Sequence, residues 1–503
     1  MASNVPGSTP HKKHLWLDVG DLLWWEHDSV TGIQRVMASV TAEFLKLQAS
    51  GAPIRFCRLL AEVGFVEVPH ETARRCVDQL ISEKPSPRME GISPGDLNNV
   101  ERQRDSRASL LHPTLDQTKK CVRAVLRQIY GPLSRAAEPR PHELPTAITA
   151  RLRRMVRRLE CWCLRKWLRA DNIFCPNDVL LNIGSGWWQP AYPATLAAIR
   201  RKTDLRYVAL VYDLIPWRLP RFFPNAMVAQ FVAWAQATLS AADTLLTISD
   251  SSRRDVLAFA KAFDIPEKPI TVIRLGREEI AGLDEACPAE LAEAQAGFVL
   301  CVGTVEARKN HILLGRTWAR LLQRHDRSIV PHLVWVGRKG WMIDALLDEL
   351  AKVRFIDGKL LWLGQEGGLL ESTLHALYRA CLFTMFPSTY EGWGLPVSES
   401  LAHGKLCIAS NASSIPEVGG DLADYHGPED LDKCLELVER AIFDPDYRAA
   451  KEQRIRRDYR MPSWAECSQS IIEACMMGNA NDGIDLDMAK LGASAHEAQL
   501  LGE

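Results

Sequence analysis

The stretch Cys381-Leu-Phe-Thr-Met-Phe386-Pro-Ser-Thr-Tyr-Glu391-Gly-Trp-Gly394-Leu-Pro-Val-Ser-Glu399 opens as a short apolar run and turns through two glycines. It then enters a helix-forming segment. Apolar residues facing both ways mark a strand buried on both sides, as in a parallel sheet covered by helices. Pro396 suits the first turn of a helix opening at about Leu395. Gly392 and Gly394 let backbone approach a ligand closely, and the free N–H groups and dipole of the helix start suit a diphosphate. Glu391 on the loop and Glu399 about a turn into the helix can both face that ligand and bind hydroxyls. The eight-residue spacing is not specific by itself, since Glu285 and Glu293 share it without a preceding strand. The alternative is a capping Glu391 with Glu399 on a solvated face.

The same pattern recurs on either side. Short apolar runs at Phe298–Val302, His332–Val336, Leu360–Leu363 and Leu406–Ala409 each lead into a Gly-rich or polar loop. An earlier series reads at Leu15–Asp18, about 53–60, Val179–Asn182, Tyr207–Val211, Thr244–Ile248 and Ile270–Ile273, with a helix beginning near Gly32. Two βα series joined by an Ala/Glu/Pro/Gln connector at 281–297 predict two parallel-sheet domains. The expected boundaries are 14–280 and 296–445, then a C-terminal helical segment at 446–477 packing back, and a disordered tail at 478–503. Residues 70–175 carry no strand signal until Asp178 and are read as a basic, helical insertion.

Ligands of open α/β sheets sit at the carboxyl ends of strands, so the loops there are the candidate site. After Phe298–Val302 comes Gly303-Thr-Val-Glu-Ala-Arg308-Lys309-Asn310-His311, two cations in a short loop before a helix. Cations at that position can neutralise a leaving diphosphate, although Arg308 is also a candidate structural ion-pair residue. One strand later, Gly337-Arg338-Lys339-Gly-Trp341 offers further positive charge or a stacking surface.

With 503 residues, 47% hydrophobic and 24% charged, the chain can bury more than one core. A net charge of −1 gives no global signal for nucleic acid. Thirteen cysteines without metal spacing fit a reducing compartment. The N-terminus lacks the order of a signal peptide, and no apolar run is long enough to span a bilayer. Residues 119–169 hold 14 Lys/Arg against 3 Glu and no Asp. Leu152, Met155, Val156, Leu159, Cys163 and Trp167 fall at helical spacing beside Arg154, Arg158 and Arg165. Such a helix suits an anionic membrane surface, and a surface helix packed on its own domain is the competing reading.

Taken in order, Gly303–Asn310, Gly337–Trp341, Phe386–Glu399 and Ser414-Ile-Pro-Glu417-Val-Gly-Gly420 resemble glycosyltransferase family 4. These are retaining enzymes of the GT-B fold, and the likeness is to bacterial mannosyl/rhamnosyltransferase-like members that build surface polysaccharides. It is specific over about 298–425, with weaker matches at Thr31-Gly-Ile-Gln-Arg-Val36, Tyr212-Asp-Leu-Ile-Pro216 and 247–255. The resemblance implies a GT-B fold of two Rossmann-like doubly wound domains facing a cleft. It implies transfer of a hexose or 6-deoxyhexose from a nucleotide-diphosphate sugar to a lipid-linked or oligosaccharide acceptor, with no metal and no other cofactor. Glu391 would contact the transferred sugar, Glu399 the ribose and Lys309 the diphosphate. Gly303, Gly392, Trp393, Gly394 and Leu395 would frame the donor. Gly32 and Asp213 would belong to the acceptor and phosphate loops. Many members carry Arg where Thr304 stands, so Arg308 or Arg338 would supply that cation. Many also carry His where Tyr212 stands. Localisation would be cytoplasmic, peripheral at the inner face of the plasma membrane.

Three Asp-x-Asp triplets (Asp430/Asp432, Asp444/Asp446, Asp485/Asp487) follow no strand turn suited to Mg²⁺. Trp187-Trp188 and Trp24-Trp25 read either as core residues or as sugar-stacking surfaces, and His311 reads as structural. A nucleotide-sugar epimerase and a glycan phosphorylase share a doubled α/β architecture. A non-catalytic glycan- or lipid-binding scaffold retaining the fold is the remaining alternative.

Overall fold

The computed structural model describes residues 13–24, 32–60, 63–81, 173–277, 287–288, 291, 296–365 and 369–477. The basic helix expected at 151–169, Trp25, most of the 281–297 connector and the tail lie outside the described residues.

Thirteen strands form two sheets. The first contains β1 (Leu15–Asp18), β2 (Ile54–Leu60), β3 (Gly64–Val68), β4 (Val179–Asn182), β5 (Arg206–Val211), β6 (Thr244–Thr247) and β7 (Ile270–Val272), in the order β3-β2-β1-β4-β5-β6-β7. The second contains β8 (Phe298–Val302), β9 (His332–Val336), β10 (Leu360–Leu363), β11 (Thr384–Phe386), β12 (Cys407–Ser410) and β13 (Asp424–His426), in the order β10-β9-β8-β11-β12-β13. All registered pairs are parallel except β2 with β3, an antiparallel hairpin at the edge.

The chain divides into two compact units. Among the described residues the first holds 13–24, 44–60, 63–81 and 173–207, and the second holds 32–43, 208–277, 287–288, 291, 296–365 and 369–477. In the first unit β1 is in register with both neighbours, Leu15 against Ile54 and against Val179. Asp178 anchors this centre: its carboxylate accepts from the Trp16 indole at 2.7 Å, from His14 N at 2.9 Å and from Cys175 N at 2.8 Å. The helix His70–Ile81, which starts the segment read as an insertion, buries Ala73, Cys76 and Val77.

In the second unit the strand period of two divides each strand between opposite faces of the sheet. Val299, Cys301, Leu333, Trp335, Phe383 and Met385 pack with the helices His311–Arg324, Asp344–Lys352 and Leu431–Phe443. Phe298, Leu300, Val334 and Val336 pack with the helix Glu371–Ala380. Burying each large apolar side chain contributes about 1.5–3 kcal/mol. Runs apolar on both faces therefore give strands covered on both faces.

Several expectations need adjustment. The run at Cys381 forms a strand only from Thr384, because Cys381 still bonds back to Leu377 O as the cap of the preceding helix. The strands β3 and β13 were not anticipated. Phe231, Ala235, Thr238 and Leu239 form the buried side of the helix Asn225–Ala241, which leads into β6 as expected. No helix among the described residues is long and apolar enough to cross a membrane.

Candidate active site

The second sheet reverses its winding between β8 and β11, and the carboxyl ends of strands at such a point form the ligand crevice of open α/β sheets. The two loops singled out in the sequence leave from these strands, and the structure joins them. Thr389 N donates to Arg308 O at 2.9 Å. Asn310, in the left-handed conformation that ends the cation loop, donates through Nδ2 to Pro428 O at 2.8 Å and Pro387 O at 3.2 Å.

The joined loops gather Arg308, Lys309 and Glu391. Lys309 Nζ lies 2.6 Å from Glu391 Oε1 and 5.1 Å from the centre of the Phe386 ring. Arg308 spans Glu391 Oε2 at 3.0 Å, Tyr390 O at 2.5 Å and Glu306 Oε1 at 2.6 Å. Ser388 Oγ donates to Glu391 Oε1 at 2.5 Å, and the Glu391 backbone N–H donates to Ser413 Oγ at 2.7 Å. Burial pushes the Glu391 carboxyl up, but Arg308 and Lys309 outweigh it and hold it at about 2. Burial pulls the Arg308 guanidinium down, and Glu391 and Glu306 more than restore it. At neutral pH the centre is the Glu391 carboxylate clamped by two cations beside a helix start, with Glu306 as the second anion on Arg308.

Gly394 takes φ +123°, reserved in practice for glycine, directly before the helix Leu395–Ala402. Gly392 meets the chain after β5: a Cβ there would lie 2.8 Å from Tyr212 O and 3.0 Å from Asp213 Cβ. Ser249 Oγ donates to Gly392 O at 2.8 Å and Ser252 Oγ to Tyr212 O at 2.7 Å, fixing this approach. Asp213 is held by Ile215 N at 3.0 Å. Its carboxyl is raised by burial, opposed by Arg308 and reinforced by Glu391. Glu417 accepts from the backbone N–H groups of Asp250 and Ser251, each at 2.7 Å, at the start of the helix Asp250–Ala262.

Glu399 projects from the second turn of its helix. Tyr378 OH donates to its Oε2 at 2.7 Å, and Arg35 NH1 lies 2.7 Å from its Oε1. Arg35 NH2 also pairs with Glu371 at 3.0 Å. Arg35 sits one turn into the helix Gly32–Ala49. Gly32 itself is exposed, and a Cβ on it would lie 3.2 Å from Leu395 Cδ1. Arg35 and Ser388 stand within the quoted motifs without an assigned role, and Tyr378, Glu371 and Ser413 were not anticipated. A polar residue beside a glycine loop was the only available signal.

The remaining candidates separate. Gly303 (φ +143°) and Gly337 (φ +154°) lie back to back, and a Cβ on Gly337 would come within 2.1 Å of Gly303 O. Arg338 stands on the neighbouring loop with its Nε buried and without a hydrogen-bond partner. Trp341 donates to Phe222 O at 2.8 Å and lies 6.0 Å from the Phe223 ring. Trp393 is buried, and its backbone carbonyl accepts from Ser414 Oγ at 2.7 Å. His311 is buried against Trp335, with ring centroids 4.7 Å apart, and burial, aided by Lys309, lowers its pKa to about 3. In the first unit Trp188 is 61% exposed, so the core reading does not hold for it. Asp430 and Asp444 cap helices through Lys433 N and Tyr447 N, both at 2.9 Å. No group of three or more potential metal ligands occurs among the described residues.

Two doubly wound sheets, with cations and a carboxylate at the switch point of the second, make up the GT-B fold. A solved glycosyltransferase from Rickettsia africae superposes with TM-score 0.50 at 12% identity, covering 94% of this chain and 100% of that one. Residues 286–458 match the family model "Glycosyl transferases group 1". Residues 286–458 thus carry a group 1 glycosyltransferase domain. The O-antigen chain mannosyltransferase B of Escherichia coli is 28% identical over 274 residues, 54% of this chain and 70% of that protein. A serotype-specific mannosyltransferase WbdA of Escherichia coli is 27% identical over 275 residues, 53% of this chain and 33% of that protein. The chain therefore spans about a third of the length of that second relative.

Proposed function

We propose that this glycosyltransferase moves a hexose or 6-deoxyhexose, mannose or rhamnose in preference, from a nucleotide-diphosphate sugar to a lipid-linked or growing glycan. The product would be a cell-surface polysaccharide, and the anomeric configuration would be retained. The observation that carries this reading is the Arg308–Glu391–Lys309 cluster beside the helix start at Leu395. The mannosyltransferase relatives favour the sugar.

Breaking the anomeric C–O bond builds negative charge on the diphosphate and positive charge on the sugar. Lys309, Arg308 and the helix start would stabilise the first, with Arg338 as a further cation. Glu391 stays ionised down to about pH 2, so it serves as a fixed negative charge for the sugar rather than as a proton donor. Glu399 would bind the ribose. The departing phosphate oxygen would accept the acceptor's proton, which gives retention without a second carboxylate base. This charge supply makes a metal unnecessary in the reading. Peripheral contact with an anionic membrane at the inner face of the plasma membrane belongs to the same proposal.

The test is calorimetric titration with GDP, UDP and dTDP, with and without EDTA, for the wild type and for Glu399→Ala. Selective, EDTA-insensitive binding of one nucleotide, weakened by the substitution, supports the reading. Binding of none of them overturns it.

A further inference from the structure

We propose that Arg35 is a donor-site residue that changes partners, leaving Glu399 for the donor's diphosphate when the ribose takes the carboxylate. The inference rests on the reading of Glu399 as the ribose ligand. Both Glu399 oxygens are engaged: Oε2 accepts from Tyr378 OH at 2.7 Å, and Oε1 lies 2.7 Å from Arg35 NH1. A ribose hydroxyl that seeks Oε1 must therefore compete with a guanidinium.

The displaced cation is not left stranded. Arg35 NH2 keeps Glu371 at 3.0 Å, and Glu371 is 34% exposed while Arg35 is 22% exposed, so the side chain has solvent on its way out. The donor brings a compensating anion to the same place. Gly32 faces Leu395, the first residue of the helix whose start suits a diphosphate, with 3.2 Å left for a Cβ. Arg35 lies one turn beyond Gly32, and Glu399 about one turn beyond Leu395, so the Arg35–Glu399 pair lies about one turn from the Gly32–Leu395 approach. A planar fork that spans two carboxylates can re-engage two phosphate oxygens with the same geometry.

Arg35 thus penalises a nucleoside and rewards a nucleoside diphosphate. This makes it a selectivity residue for the diphosphate, beyond the cations Lys309 and Arg308.

The experiment compares GDP with guanosine, UDP with uridine and dTDP with thymidine by calorimetry, in the wild type, Arg35→Met, Arg35→Lys and Glu399→Ala. For the nucleotide that binds, Arg35→Met should tighten or preserve nucleoside binding while weakening the diphosphate. The diphosphate-to-nucleoside affinity ratio should then fall by about tenfold or more. A purely structural role would weaken both ligands alike and leave the ratio unchanged, which overturns the proposal. If Arg35→Met does not fold, Arg35→Lys decides. One ammonium cannot span Glu399 and Glu371, or two phosphate oxygens, as the fork does, so the diphosphate-to-nucleoside ratio should fall here too, and an unchanged ratio overturns the proposal. Glu399→Ala separates the two layers. Undiminished nucleoside binding there removes the ribose reading itself, whereas weakened binding with an unchanged ratio in Arg35→Met removes only the exchange.

Discussion

Replacing Glu391 with Gln keeps the shape of the side chain and removes the charge on which two cations converge. Lys309 Nζ sits 2.6 Å from one oxygen and Arg308 NH1 3.0 Å from the other, with Arg308 and Lys309 only 12% and 15% exposed. The carboxyl is held at about 2 from an ordinary 4.5. At about 1.36 kcal/mol per pH unit, that displacement is worth roughly 3 kcal/mol to the folded state. The cost of breaking a buried ion pair from one side, about 3–5 kcal/mol, is of the same order. The folded pKa lies below the unfolded one. The contribution is therefore complete above about pH 4.5 and disappears as pH falls towards 2. Thermal unfolding of Glu391→Gln at pH 7 should begin roughly 6–12 °C below wild type, at about 2–4 °C per kcal/mol. The gap should close between pH 4.5 and 2 because only the wild type loses stability from this group there. Inorganic pyrophosphate should raise the midpoint of the variant more than that of the wild type, since Lys309 has lost its carboxylate and Arg308 keeps only Glu306, while sugar transfer falls. Equal midpoints at pH 7, or equal stabilisation by pyrophosphate, would refute the account of Glu391 as the charge that holds Arg308 and Lys309.

Gly337→Ala places a Cβ 2.1 Å from Gly303 O at φ +154°. It should cost about 3 kcal/mol or more, visible as a fall of several degrees in Tm or as loss of soluble protein, and an unchanged Tm would contradict the close approach. Trp188→Ala removes a ring that is 61% exposed, so stability should stay within about 0.5 kcal/mol of wild type. If Trp188 stacks on the acceptor, KM for a glycan acceptor should rise severalfold with nucleotide Kd unchanged, and an unchanged KM ends that role. Replacing Arg154, Arg157, Arg158 and Arg165 with Gln should release the protein from anionic phosphatidylserine vesicles with nucleotide affinity intact. Equal vesicle binding by that variant would end the membrane proposal.

The inner parallel strands were legible because burial on both faces leaves them almost wholly apolar: Val179–Asn182, Phe298–Val302 and His332–Val336 occupy the residues anticipated, as does the apolar edge strand Leu360–Leu363. Two edge strands were not. β3 pairs on one side with β2, in an antiparallel hairpin, and exposes Glu67, so it lacks the unbroken apolar run of the inner strands. β13 is three residues long with only His426 buried. Within the candidate site, the residues on the two strand-end loops could be named from the sequence. Gly303, Gly392 and Gly394 follow strands, and Lys309 and Glu391 stand beside them. The Trp187-Trp188 alternatives could not be resolved, because exposure depends on what surrounds a ring.

From its order of apolar runs, glycines and charges, the sequence by itself determined two α/β series and which loops lie at the carboxyl ends of the strands. These are local properties, set by side-chain period and by where only glycine can turn. Only the tertiary structure decided what each charge does. Lys309 and Glu391 are 82 residues apart, and Arg35 and Glu399 are 364 apart. Neither pairing has a local signature. An ion pair depends on distance in space and on the water excluded around it, and both of these are set by how the strands and helices pack.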